Sequence, residues 1–256
     1  MTKITNYSCI VINIKLTISY DGTRYSGWQI QKNARTIQAE IEKALRKILR
    51  KRIRITGAGR TDAGVHAKGQ VANFHTDKKI PLKNLRSALN TYLPPEMSIL
   101  RAKWVKAAFH SQFDAIEKKY RYTVFQGDAD NPFLRPYYYK FSGKLDIRQM
   151  KKEARSLVGK HDFRAFQAKA ASSKLKSTVR AIKSISVSKK GRFIFIDITA
   201  DGFLHNMVRV IAGTLIEAGR GHMLPGSTKR ILASGSRKAA GPTVPSKGLS
   251  LISIKY

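Results

Sequence analysis

Short runs in which apolar and polar residues alternate, and longer apolar stripes with helical spacing, recur twice along the chain. In the first hundred residues, the alternating runs are rich in β-branched and aromatic residues, which is typical of strands. These predicted strands are 10–20, 52–56, 69–75 and 99–105. Thr36 can cap a helix with an apolar stripe, and a second helix is predicted over 81–92 with Pro81 in its first turn. The resulting order, β-α-β-β-α-β, is the split βαβ arrangement.

The second half of the chain repeats this order. Its predicted strands are 119–126, 180–188, 192–200 and 249–256, and its predicted helices are 146–158 and 203–218. Lys189-Lys190-Gly191 predicts a hairpin turn between two of these strands. The fold class we predict is α+β, with two ferredoxin-like (βαββαβ) halves that share a largely antiparallel sheet and have the active-site cleft between them. An N-terminal α/β subdomain (1–108) would carry the loop 57–66, and a C-terminal α/β subdomain (109–256) would face it.

The charge balance indicates the class of partner. The chain has 49 Lys and Arg residues against 16 Asp and Glu residues, a formal net charge of +33. Self-repulsion of this size is tolerated mainly when an anionic polymer neutralises it, so nucleic acid is the leading candidate. A solvated basic surface, or a proteome that favours lysine, is the alternative interpretation.

Other bulk features argue against a membrane or a secreted protein. No run approaches the ~20 apolar residues that a membrane helix needs, and the basic residues are spread along the chain instead of lying on one amphipathic helix. Polar residues interrupt the N-terminal region, so no signal peptide is predicted. The single cysteine, Cys9, excludes an intramolecular disulfide and a cysteine-built metal site. We therefore predict a cytoplasmic protein with no membrane partner.

The loop 57–66 has the composition of a functional site. It contains three glycines, one acid (Asp62), Arg60 and His66, and it lies between two predicted strands. Glycines let the backbone take positive φ and let another molecule approach closely. The loop is neither a dinucleotide-binding fingerprint nor a phosphate-binding loop, which would need Lys and Ser/Thr at 65 and 66. An aspartate in such a loop can also be a plain turn-former that bonds its own backbone.

Three further residues are candidates, each with a structural alternative. Arg209 shares a face of its predicted helix with Ala212 and Gly213, which suggests a paired and partly buried cation or, alternatively, a snorkelling surface arginine. Tyr120 lies between two cations on a predicted strand and could stack on a base, or it could be a half-buried sheet tyrosine. Arg24 lies in a loop that suits RNA contact and suits an ordinary surface loop nearly as well. The six histidines show no metal-ligand spacing.

Taken together, these segments resemble the motifs of the tRNA pseudouridine synthase A family. The resemblance follows the family's order over nearly the whole chain. The matching segments are Tyr20-Asp21-Gly22, Gly27-Trp28-Gln29, Thr36-Ile37-Gln38, the loop 57–66, Phe109-His110, Lys119-Tyr120-Arg121-Tyr122, His161-Asp162-Phe163, Phe203 to Arg209, and Gly248-Leu249. Ser250 departs from the aromatic residue that many members carry there.

The resemblance implies an activity and roles for named residues. Members isomerise uridine to pseudouridine in the tRNA anticodon stem-loop, at positions 38, 39 and 40, and they do so as homodimers without a cofactor. Asp62 would be the catalytic carboxylate, Arg209 its ion-pair partner, and Tyr120 the ring that stacks on the flipped uracil. Leu249 would form the apolar floor, and Arg60 would contact the RNA backbone. We add Arg24 and His66 as candidate substrate-binding residues, and we predict no metal.

Two other functions stay open from the sequence. The chain could be a related pseudouridine synthase with another RNA target. It could also be a non-catalytic basic RNA-binding protein, since the charge alone does not require Asp62 to act.

Overall fold

The computed structural model describes residues 11–168 and 177–256, which form one ten-stranded sheet and five α-helices. The strands are β1 (Ile12–Tyr20), β2 (Thr56–Gly57), β3 (His66–Thr76), β4 (Met97–Val105), β5 (Glu117–Gln126), β6 (Tyr139–Phe141), β7 (Gly159–Asp162), β8 (Val179–Lys190), β9 (Phe193–Ala200) and β10 (Leu249–Lys255). The helices are α1 (Ile37–Leu49), α2 (Leu82–Tyr92), α3 (Ile147–Arg155), α4 (Met207–Gly219) and α5 (Ser227–Ser234). Cys9 and Ile10, the predicted first residue of β1, lie outside the described residues.

Strand order confirms the predicted fold class. The sheet runs β4-β1-β3-β10-β5-β9-β8-β7, with β2 paired to β3 and β6 paired to β5. The first half therefore has the order β4-β1-β3-β2 and the second the order β10-β5-β9-β8, with antiparallel pairing inside each half. Both are the ferredoxin-like order, so the two halves repeat one topology. The subdomain boundary after residue 108 stays a prediction.

The two halves meet along β3. The edge of β3 that faces away from β1 pairs with two different strands, β10 and β2. Near its start, β3 pairs in parallel with β10, with His66 opposite Ser250. Further along, β3 pairs with β2, with Ala72 opposite Gly57. The loop between β2 and β3 emerges where these two partners diverge. The sheet thus holds this loop at the junction of the halves, facing the second one.

One continuous apolar core stabilises this arrangement. The alternate residues of β1 that face the helices, including Leu16 and Ile18, are fully buried, and so are Ile37, Ile41 and Leu45 on one stripe of α1. Burying a side chain of this size is worth about 1.5–3 kcal/mol. The same cluster continues into the second half, so the core does not separate the halves.

Three local predictions were wrong, and each has a physical reason. The predicted strand 52–56 reduces to β2, because the backbone of Ile55 bonds to side chains of α1: its N–H donates to Glu42 Oε1, and its carbonyl accepts from Gln38 Nε2. The predicted helix 203–218 begins only at Met207, because Asn206 has a φ of 60°. Thr36 occupies the N-cap position of α1, but its side chain caps no backbone N–H.

Other helix and strand boundaries differ from the predicted ones, and some elements were not predicted. The predicted strand 69–75 extends back to His66, and the predicted helix 146–158 stops at Arg155, where the chain turns into β7. The patterns did not predict β6, β7 or α5. Within 11–168 and 177–256, no helix combines the length and the apolar character that crossing a bilayer requires.

Glu153 joins α3 to α5 from a buried position. Its carboxylate accepts hydrogen bonds from the Gly226 N–H (2.6 Å) and from the Thr228 N–H and hydroxyl (2.9 and 2.8 Å), at the start of α5. Burial by itself would raise the pKa of Glu153, but these donors outweigh burial and hold the pKa below its usual value. A carboxyl whose pKa is lower in the folded state stabilises the protein above its unfolded pKa. That stability is lost as the pH falls through the folded pKa.

We expect Glu153→Gln to lower the free energy of unfolding at neutral pH by about 1–3 kcal/mol. The amide N–H₂ of the glutamine would face a donor of Gly226 or Thr228, so two donors would meet and one hydrogen bond would be lost. The gap between wild type and variant should shrink as the pH is lowered through the acid range, since only the wild type loses a charge there. Urea unfolding at a series of pH values measures both effects. Asp128→Asn, on the exposed surface, is the matched control. A gap that stays constant at every pH would contradict this account.

Candidate active site

Hydrogen bonds from Trp28 and Tyr20 hold the loop that carries Asp62 in place. The Thr61 carbonyl accepts a hydrogen bond from the Trp28 N–H (3.0 Å), and the Thr61 hydroxyl bonds the Tyr20 hydroxyl (2.8 Å). Gly27 has a φ of +91°, and a Cβ there would lie 2.5 Å from the Thr61 carbonyl oxygen, so no larger residue fits. Burial raises the pKa of Tyr20 to about 12, which keeps its hydroxyl protonated. The peptide that precedes Asp62 is therefore fixed on both sides.

The rest of the loop turns tightly at Gly64. This glycine has a φ of +75°, and a Cβ on it would meet Ser246 Oγ at 2.7 Å. The backbone carbonyl of Asp62 accepts from the Val65 N–H (3.2 Å) and closes the turn. The turn is thus built from glycine and backbone. The carboxylate of Asp62 is directed instead at the second half of the chain.

Two nitrogen-bearing side chains from the second half face the two oxygens of that carboxylate. Arg209 Nη1 lies 3.6 Å from Asp62 Oδ2, and His205 Nε2 lies 3.5 Å from Oδ1. The Arg209 side chain is only 17% exposed. It is oriented by donating from Nε to the Val244 carbonyl (2.8 Å) and from Nη1 to Asn206 Oδ1 (2.7 Å). The structure therefore presents Arg209 as a partly buried, oriented cation, and not as a snorkelling one.

Asp62 lies in a cavity of about 1180 Å³ lined by both halves of the chain. Tyr120 and Leu249 line it from β5 and β10, and Arg60 lines it from the loop. The buried Tyr120 ring packs edge-to-face against Phe203, with the centroids 5.1 Å apart. Burial, followed by the proximity of Tyr20 and Asp62, raises the pKa of the Tyr120 hydroxyl. Four predicted site residues thus share one cavity, and Arg209 contacts Asp62 from α4.

The structure does not bring the other two predicted residues, Arg24 and His66, to this cavity. Arg24 is exposed and lies 3.5 Å from Glu96. The buried His66 accepts the Gly22 N–H at Nδ1 (3.1 Å), while its Nε2 lies 3.1 Å from the Pro136 carbonyl and therefore carries the hydrogen. Asp21 Oδ1 also lies 3.1 Å from Nδ1. His66 thus ties the first half to the second.

Sequence reasoning missed two cavity residues. His205 shares the predicted helix with Arg209, yet it lies before the helix begins and reaches Asp62 from a turn. Lys118 lies two residues before Tyr120 and therefore on the same face of β5, and this spacing can be read from the sequence. Its Nζ donates to the Ala58 carbonyl (2.7 Å), and burial, with Arg180 nearby, lowers the pKa of this lysine. Lys118 therefore holds the start of the loop against the second half.

The arrangement suits chemistry on a planar group attached to a sugar. A flat ring can lie against an aromatic wall and an apolar floor, while a carboxylate offsets positive charge that develops at the anomeric carbon. The part of the chain that the structure describes contains no group of three or more His, Cys, Asp or Glu residues placed to hold a metal. The absence of a cofactor stays a prediction.

Comparisons with known proteins identify relatives of the chain. A family model for tRNA pseudouridine synthases matches residues 16–114 and 154–256. A protein of Clostridium kluyveri named tRNA pseudouridine synthase A is 46% identical over 244 residues, which cover 95% of this chain and 99% of that protein. Proteins of the same name from a Geobacter species and from Moorella thermoacetica are 44% and 42% identical, over 95% of this chain and 98% and 99% of theirs.

Proposed function

The chain belongs to the tRNA pseudouridine synthase family, and from this premise we propose that it isomerises uridines of the tRNA anticodon stem-loop to pseudouridine. The observation that carries the proposal is the meeting of Asp62 with Arg209 in the cavity that Tyr120 and Leu249 line. These groups come from the catalytic loop, α4, β5 and β10, so the fold assembles them from both halves.

The proposed reaction needs no water and no redox step. A base inside a helical stack cannot be reached, so the uridine is first flipped out and stacked on Tyr120, above Leu249. The N1–C1′ bond then breaks while Asp62 offsets the positive charge at C1′. The detached uracil turns, C5 bonds to C1′, the C5 proton leaves, and N1 gains a proton. Arg209 and His205 hold the carboxylate in place through the sequence.

Electrostatics supports RNA as the substrate. Arg54, Arg60 and Lys118 line the cavity, and the whole chain carries a net charge of +33. Cations of this kind neutralise phosphates and release counterions, so the affinity for tRNA should fall steeply as salt is raised. We place the protein in the cytoplasm, where this substrate class is found.

The test is a map of modified positions. Unmodified tRNA is incubated with the protein, pseudouridine is derivatised with a carbodiimide, and reverse transcription locates the adducts. We expect stops in the anticodon arm. Stops elsewhere would favour a related synthase with another target. If the protein binds tRNA but no stops appear, the result would favour a basic RNA-binding protein without catalytic activity.

We also propose that the protein acts as a homodimer. On the open edge of the sheet, β4 exposes Leu100 and Trp104, and the neighbouring α2 exposes Tyr92. An edge strand with exposed apolar side chains is a ready interface. Sedimentation velocity should give a mass near twice the 28.7 kDa of one chain. A monomer at micromolar concentration would contradict the proposal.

A further inference from the structure

The connection between β4 and β5 crosses the face of the sheet and is firmly anchored there. Asn13 Nδ2 donates to the Phe109 carbonyl at 2.8 Å and lies 3.2 Å from two earlier carbonyls of the same connection. The buried Ser111 donates from N to Asn73 Oδ1 (2.9 Å) and from Oγ to the Thr56 carbonyl (2.5 Å). The Tyr256 hydroxyl donates to the Ser111 carbonyl (2.8 Å). Four separate segments therefore fix this connection.

Immediately after Ser111, the chain presents one residue to the cavity and the next to solvent. Gln112 lines the cavity that contains Asp62. Phe113 is 76% exposed, although its ring stacks on His110 with the centroids 4.1 Å apart and the planes within 18°.

His110 is itself held in place. Its Nδ1 lies 3.2 Å from the N–H groups of Gln112 and Phe113, and its own N–H donates to Asp114 Oδ2 (3.0 Å). The Phe113 ring is thus a preorganised aromatic surface beside the cavity.

Phe113 differs from other exposed apolar side chains, such as Phe133, because its ring is stacked on a neighbour that is itself held in place. An aromatic face fixed in advance loses little conformational entropy when it binds a ligand. Nucleobases are ligands of this kind, because every base has a π-face that can stack on an aromatic ring.

We infer that Phe113 is a stacking platform for an unpaired nucleobase of the RNA that flanks the target uridine. The inference rests on the proposed function, because it takes the nucleotide in the cavity as its reference point. Gln112 joins the platform directly to the cavity, so a base next to the flipped uridine is within reach. The net charge of +33 favours a polyanion as the occupant.

The test compares substitutions that separate the ring from its apolar bulk. Phe113→Ala and Phe113→Leu should each weaken tRNA binding about 5- to 100-fold, because stacking of one base is lost. Phe113→Tyr should bind as tightly as wild type. Phe133→Ala removes a phenylalanine that is 87% exposed and does not line the cavity, so it is the matched control and should leave the affinity unchanged.

A fluorescent purine analogue, placed in turn at each anticodon-loop position beside the target uridine, reports stacking directly. Its emission should be quenched when wild type or Phe113→Tyr binds and should recover severalfold with Phe113→Leu. Unchanged affinity and emission in Phe113→Ala, with an active wild type, would overturn the inference. So would a change in oligomeric state without a change in emission, which would assign the ring to a protein interface. If the wild type forms no pseudouridine but quenching still depends on Phe113, the proposed function fails and the stacking site stands.

Discussion

We expect Asp62→Asn to lower the single-turnover rate of pseudouridine formation by at least about 10⁴-fold, the scale seen when a reacting group is removed from an active site. The amide has the shape of the carboxylate and faces the same nitrogens of Arg209 and His205, but it brings no negative charge to C1′. Tritium release from tRNA labelled at uridine C5 measures the rate.

Binding and folding should survive this change, because the loop is held by Thr61 and Gly64 and not by the carboxylate. We therefore expect tRNA affinity within about threefold of wild type and an unchanged thermal midpoint. Asp128→Asn makes the same chemical change on the surface and should keep full activity. Wild-type turnover in Asp62→Asn would remove the carboxylate from the mechanism.

The second large effect is expected for Arg209→Lys. The guanidinium makes two hydrogen bonds, from Nε to the Val244 carbonyl and from Nη1 to Asn206 Oδ1, and its Nη1 also lies 3.6 Å from Asp62 Oδ2. A lysine ammonium is a point charge without this fork, so it cannot hold the turn and the carboxylate together. We expect turnover to fall by about 10²- to 10³-fold, as for the loss of one charge-stabilising donor.

Arg220→Lys, at the other end of the same helix, is the control for this substitution. Arg220 is half-exposed and pairs with Glu217 within its own helix, so its replacement should change neither turnover nor stability measurably. Rates of the two variants are compared under single turnover, with circular dichroism to verify folding. If Arg209→Lys turned over like Arg220→Lys, Arg209 would have no part in orienting Asp62.

Local patterns predicted those elements whose burial alternates cleanly. In β1, β5 and β9 the buried residues fall at every second position over much of the strand, so period and composition agree. Where the partner of a segment is distant in sequence, the pattern was insufficient. Ile53 and Ile55 are buried as a strand would bury them, yet the backbone of Ile55 bonds to two side chains of α1.

The residues of the candidate site also differ in how far the sequence could predict them. Asp62, Arg209 and Tyr120 could be named from motif resemblance, and the structure brings them together. Arg24 lies between two motif segments and His66 ends the loop motif, but their side chains contact other partners, which only the tertiary structure determines. His205 reaches Asp62 because Asn206 adopts a positive φ, a single-residue event that helical periodicity cannot show.

The position of β10 also bears on how the molecule matures. This strand follows the other elements that the structure describes, yet it lies between β3 and β5 and brings Leu249 to the cavity floor. Contacts between segments so far apart in sequence form slowly, because the long intervening chain must lose conformational entropy before the contacts can stabilise the fold. The floor of the cavity is therefore completed only when β10 has paired with β3 and β5.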